Sequence, residues 1–162
     1  MSRASALDLL RFTRAITDGL FKDFPEAKWT YQPSPTDNHA LWTLGHLAST
    51  DAWICGVVGA PGASMPDGYD KLFGMGSKPV DDPAAYPKPA DVMKVMHANR
   101  AALLAWLEKT TPEQLAKSTK EATGNFMNDA IDGALKIGWH EGWHCGQLAG
   151  IRKALGLKNV IG

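Results

Sequence analysis

His140 and His144 stand four residues apart in Trp139-His140-Glu141-Gly142-Trp143-His144-Cys145-Gly146-Gln147. On an α-helix that spacing puts two side chains on one face, about 40° apart around the axis and about 6 Å apart along it. Two imidazoles so placed can reach one metal ion. With Glu141 after the first of them the string reads HExxH, in which a protease uses the glutamate as general base and takes a third ligand from further along the chain. The flanks here are not those of that class. Glu141 also turns about 100° away from His140 on a helical wheel, toward solvent or a neighbouring helix rather than the metal.

A third histidine, His46, lies in the apolar segment Trp42-Thr43-Leu44-Gly45-His46-Leu47-Ala48. Alone it would read as a core residue. With two more histidines on one face of another helix, it becomes a candidate ligand, because helical bundles build metal sites from facing helices. Three imidazole nitrogens leave a tetrahedral ion one position for water or substrate. The expected metal ligands are therefore His46, His140 and His144, and no catalytic residue is assigned.

Other residues near these carry less. Gln147 falls on the histidine face and either orients a ligand or bonds a neighbouring helix. Thr50, one turn after His46, has the same two options. Cys145 points about 100° away from its neighbour His144, and nothing local marks it as activated, so a structural thiol is expected. His39, near a helix start, and His97 have no partner in sequence and read as surface or half-buried residues. Trp42, Trp53, Trp139 and Trp143 are core by default, with one or two available to line an apolar mouth above the metal. Gly138, Gly142, Gly146 and Gly150 recur every four residues, a small-residue stripe that allows close approach. Each costs about 1 kcal/mol relative to alanine in a helix, so a packing or access reason is expected.

Four long stretches have the helical period that could position these groups. The first covers about Ser5–Phe21, with Ala6, Leu9, Thr13, Ile16 and Leu20 as its stripe, and stops at Asp23-Phe24-Pro25. The second covers about His39–Val58, preceded by Asp37 and Asn38 as candidate N-caps. The third covers about Ala90–Lys109 on Val92, Val95, Met96, Leu103 and Leu107. A short turn follows, with Thr111 as cap and Pro112 at its first position. The fourth covers about Asn128–Leu155, with Gly156 as its stop. From Gly59 to Pro89 the chain is rich in Gly and Pro without a sustained period; a connection of roughly thirty residues is often a lid or binding loop. Its Tyr69, Phe73 and Tyr86 imply that it packs down. No β-alternation is evident, and the expected fold is an all-α four-helix bundle with this long connection between the second and third helices.

The GHL segment in mid-second helix, the late H-x-x-x-H-x-G-Q and the following Ile151-Arg152-Lys153-Ala154-Leu155-Gly156 resemble the DinB-like superfamily. That superfamily includes bacillithiol and mycothiol S-transferases and thiol-dependent maleylpyruvate isomerases. The resemblance covers nearly the whole chain in helix order, although its specific part is the three histidines and Gly146-Gln147. It implies a four-helix bundle whose three histidines hold a divalent ion, usually zinc or nickel, and its ligand positions fall on His46, His140 and His144. It favours thiol transfer, with a low-molecular-weight thiol and an electrophile as small-molecule substrates; hydrolysis stays open. The alternative is a non-catalytic metal-binding stress-response protein.

The totals agree with such a protein. The chain has 162 residues, one domain's worth, with 17 Lys and Arg against 17 Asp and Glu. A balanced charge offers no basic excess for a phosphate backbone, so nucleic acid is not an expected partner. No signal peptide is evident at the start, and no stretch approaches the ~20 apolar residues of a membrane span. Two cysteines, Cys55 and Cys145, in helical patterns rather than a disulfide framework, fit the cytoplasm. A homodimer is the expected oligomer.

Overall fold

The computed structural model describes residues 2–158 and residue 160. Among them there are six α-helices and no strand: α1 (Arg3–Phe21), α2 (Ala40–Val58), α3 (Tyr69–Phe73), α4 (Pro89–Lys109), α5 (Pro112–Leu115) and α6 (Ala130–Ala154). Short 3₁₀ turns at Glu26–Lys28 and Pro83–Ala85 punctuate the connections.

The long helices begin and end on recognisable chemistry. Ser2 caps α1, its hydroxyl accepting the Ser5 amide at 3.2 Å. The start of α2 differs from expectation: neither Asp37 nor Asn38 is the cap. His39 is, with its ring Nδ1 accepting the Trp42 amide at 3.0 Å. Its other nitrogen, Nε2, donates to the Val80 carbonyl at 3.1 Å. The residue read as surface or half-buried is thus fully buried, and burial lowers its pKa to about 4. Gly59 ends α2 at φ 75°, a left-handed conformation that glycine adopts without a Cβ clash. Thr111 and Gln114 form a reciprocal capping box at α5, and Asp129 caps α6 by accepting the Asp132 amide at 2.9 Å.

Helix α2 packs along α4 and α1 along α6, while α2 meets α6 and α1 meets α4. Two apolar clusters fill the space between them. One gathers Leu20, Phe21, Leu41, Leu44, Leu47, Phe73, Val92, Met96, Leu148 and Ile151. The other gathers Leu7, Leu10, Ile54, Leu103, Leu107, Met127, Ala134 and Ile137.

Between the two clusters, on each long helix, sits one charged residue: Arg14, Asp51, Arg100 and Glu141. All four are buried. Arg100 Nη2 lies 2.8 Å from Asp51 Oδ1 and 2.7 Å from Glu141 Oε2. Arg14 bridges the same carboxylates, from Nη2 to Asp51 at 2.9 Å and from Nε to Glu141 at 2.7 Å. Two cations face two anions, and the remaining donors reach the Met96 and Leu10 carbonyls. A buried pair is safe only when matched and hydrogen-bonded in this way. Burial raises the Glu141 pKa, but Arg100 and Arg14 outweigh it and hold the carboxyl below its ordinary value.

The connection from α2 to α4 is not a free loop. Asn99 receives it first, accepting the Ser64 amide at 3.0 Å and donating to the Ser64 carbonyl at 3.1 Å. Phe73 is then fully buried against α2, with the Tyr69 and Tyr86 rings 5.4 and 5.7 Å from its own. The packing-down implied by those three aromatics is present.

Candidate metal centre

His46 of α2 and His140 and His144 of α6 come together at the seam of the two helices, their ligand atoms within 4.8 Å of one another. The His140 Nε2 lies 3.2 Å from the His46 Nε2 and 3.1 Å from the His144 Nε2. What fills the far side of each ring decides the meaning of those contacts. His46 Nδ1 is 2.9 Å from the Phe73 carbonyl, which can only accept, so the proton is on Nδ1. His144 Nδ1 donates to Gln147 Oε1 at 2.8 Å. Both rings therefore present a bare Nε2 lone pair toward His140. His140 Nδ1 is buried and has no hydrogen-bond partner in the protein.

His46 and His144 both offer lone pairs to His140 Nε2, whose single proton serves at most one of them well, whereas a cation among the three serves all. A tetrahedral ion with bonds of ~2.0–2.1 Å to nitrogen needs ligand atoms about 3.3 Å apart, and an octahedral one slightly less. The two separations from His140 are close to these values and the third pair lies within 4.8 Å, so the three residues fit a divalent metal without selecting which. Protonation is disfavoured here as well. Burial first, then the neighbouring imidazoles, lowers His140 and His144 to about 4, and burial lowers His46 against the opposing pull of the Phe73 carbonyl. Neutral imidazole is the form that binds metal.

The supporting residues are ordered. The Trp42 ring stacks on His46 with centroids 4.5 Å apart and planes 12° apart, and its Nε1 donates to Ser77 Oγ at 2.9 Å. Gln147, for which two roles stood open, holds His144, and Asn38 Nδ2 donates to the same Gln147 oxygen at 3.4 Å. Asn38 and Gln147 also line a cleft of 320 Å³ with Pro33, Thr36, Asp37, Gly150 and Ile151. Thr50 turns back on its own helix, donating to the His46 carbonyl at 2.8 Å. Cys145 is half-buried beside the Thr17 hydroxyl, and burial raises its pKa, as befits a structural thiol. His97 is exposed and 2.9 Å from Asp18.

One reading of the sequence narrows and another changes. Glu141, the glutamate of the HExxH string, turns away from the histidines as expected, to a neighbouring helix rather than solvent, and is locked by Arg14 and Arg100. It is unavailable as a protease base. Of the four tryptophans on the two histidine-bearing helices, only Trp42 is buried; Trp53, Trp139 and Trp143 are exposed. The residues that sequence reasoning missed are Phe73, Ser77 and Asn38, which act through a carbonyl, a tryptophan and a glutamine. No spacing rule marks such partners.

The family model of the DinB superfamily matches residues 9–148, and the chain belongs to that superfamily. No curated protein and no solved structure matches it.

Proposed function

We propose that this DinB-superfamily chain binds one divalent transition metal, zinc or nickel, through His46, His140 and His144 on a four-helix-bundle frame. The observation that carries this is the convergence of three Nε2 atoms while His46 and His144 keep their Nδ1 protons engaged elsewhere. Among the described residues no fourth His, Cys, Asp or Glu joins the group, so a tetrahedral ion there has one position left for water or a thiol. When bound, such an ion supplies Lewis acidity and lowers the pKa of whatever occupies that position.

The enzyme reading follows from the open position: a thiol S-transferase, or a hydrolase, acting on a small-molecule electrophile. The chain's own residues hold the three rings, through Phe73, Gln147 and stacked Trp42, and expose His46 and His140 partly to solvent. The cleft lined by Asn38 and Gln147 offers a low-molecular-weight thiol a polar wall, joined to His144 through Gln147. Two free cysteines agree with a cytoplasmic setting, and no helix among the described residues is long and apolar enough to cross a membrane. A homodimer is proposed through the outward side of α6. There Gly142, Gly146 and Gly150 have no atom within 4 Å of where a Cβ would stand, and Trp139 and Trp143 are exposed.

Elemental analysis of untagged protein tests the central claim, with wild type beside His144→Ala. The expectation is about one equivalent of metal per chain in the wild type and none in the variant. Absence of metal in the wild type, even after incubation with zinc and nickel salts, would refute it. Small thiols are then screened with electrophiles; turnover separates the enzyme from a metal-sequestering stress protein.

A further inference from the structure

We propose that residues 69–77 of the long connection form a positioning clamp for His46, gripping the ring edge through the Phe73 carbonyl and its face through Ser77 and Trp42. The clamp rests on the three-histidine site proposed above and adds how one ligand is set from outside the two ligand-bearing helices.

The edge contact begins with helix chemistry. The last carbonyls of any helix have no partner within it, and in a five-residue helix such as α3 most of them are of this kind. Asp70 gives its carbonyl to the Gly74 amide at 2.9 Å, and Phe73 is left with one to offer. That oxygen takes the His46 Nδ1 proton at 2.9 Å. Its position is fixed by its own side chain. The Phe73 ring is fully buried and lies flat on the backbone of Gly45, where a Cβ would come within 2.3 Å of the ring carbons. Gly45, immediately before the ligand, is thus a seat for the residue that orients it.

The face contact runs through a second loop residue. Ser77 Oγ accepts from Trp42 Nε1 at 2.9 Å, which sets the indole plane, and the indole stacks on His46 at 4.5 Å. Edge and face together leave the His46 ring one orientation and one tautomer, with Nε2 bare and aimed at His140. His140 and His144 sit on α6, and His144 has its own partner in Gln147, so the clamp acts on His46 alone. Outer partners of this kind commonly change metal affinity by about 10–100-fold when removed.

The test uses the full chain in Phe73→Ala, Gly45→Ala and Ser77→Ala, with Leu107→Ala in the other apolar cluster as a control for general destabilisation. Two readouts are taken. In metal-free protein at pH 7.5, long-range ¹H–¹⁵N spectra of the histidine rings report the tautomer. His46 is expected as the Nδ1–H form in wild type and as a mixture in Phe73→Ala and Gly45→Ala, with His144 unchanged throughout. Zinc affinity by chelator competition is expected to fall about 10–100-fold in those two variants, less in Ser77→Ala, and not in Leu107→Ala. The removal of one half-buried hydroxyl keeps Ser77→Ala informative should the core variants not fold. An unchanged His46 tautomer with unchanged zinc affinity overturns the clamp, as does an equal loss in Leu107→Ala. A wild type that binds neither zinc nor nickel defeats the metal reading, and the tautomer alone then decides the clamp; if it binds nickel only, the affinity arm is read with nickel.

Discussion

The Glu141 carboxylate meets the Arg100 guanidinium at 2.7 Å, both buried, on the inward side of the helix whose next face carries His140 and His144. One helix therefore serves two polar systems with different fates. Inside, charge is balanced and closed; at the α2–α6 seam, three imidazole nitrogens converge with no counter-charge of their own.

Glu141→Ala should be costly because it leaves Arg14 and Arg100 sharing Asp51 alone. Breaking a buried pair by removing one partner typically costs about 3–5 kcal/mol. Urea denaturation of metal-free protein is the measurement. Zinc stoichiometry in Glu141→Gln, if it folds, should stay at the wild-type value, since this side chain faces Arg14 and Arg100 instead of the histidines. Loss of metal with retained fold would show that the two systems are coupled.

Gln147→Leu removes the acceptor that fixes the His144 tautomer. Zinc affinity should fall about 10–100-fold while the helix content holds. Asn38→Ala, which loses only a 3.4 Å bond to the same oxygen, should change affinity much less. Equal effects would place the importance in the cleft rather than in His144.

The pH dependence of stability has a definite sign. His39, His140 and His144 sit at about 4 in the folded metal-free chain, below the ordinary 6.5. Between those values the unfolded chain takes up protons that the folded chain refuses, so stability falls as pH drops through that window. Thermal unfolding of metal-free protein should show Tm declining from about pH 6.5 toward 4. Zinc should raise Tm throughout this window without moving its upper edge, which the unfolded histidines set. It should also extend the decline below about pH 4, because the ion competes with protons for the folded imidazoles. A flat metal-free Tm across this range would contradict the burial assigned to these rings.

The histidine pair on α6 was legible because four-residue spacing is a property of the chain alone, and His46 became legible only beside it. The all-helical class followed from the same periodicity. The charged layer was within reach but unread. Arg14 continues the stripe Leu7, Leu10, Thr17, Phe21, and Arg100 continues Val92, Met96, Leu103, Leu107, so an inward charge was written in the spacing. Its partners were not, since Asp51 and Glu141 reach those positions only when four helices pack. His39 was missed as a cap because Asp37 and Asn38 are commoner cap types, and burial beneath the Val80 carbonyl selected the next residue instead. The α3 clip was unreadable for a physical reason: five residues have too little period to register, and the group that matters is a backbone carbonyl.

The glycine series on α6 divides into two kinds, which gives opposite expectations for the same substitution. A Cβ on Gly138 would stand 2.7 Å from Leu9 Cγ, so Gly138→Ala must push α1's side chain aside. Overpacking of that sort costs about 1–3 kcal/mol and cancels or exceeds the helix gain. Gly142 and Gly146 have nothing within 4 Å, so alanine there should stabilise an isolated chain by up to about 1 kcal/mol each. Yet Gly142, Gly146 and Gly150 would then be an uncompensated cost, unless a second copy approaches them. Gly142→Ala with Gly146→Ala therefore decides between a free face and a shared one. A raised Tm with an unchanged sedimentation coefficient means the face is free, and the proposed dimer does not form there. Dissociation of a wild-type dimer, with a Tm that falls and becomes dependent on concentration, means the glycines are spaced for a partner helix.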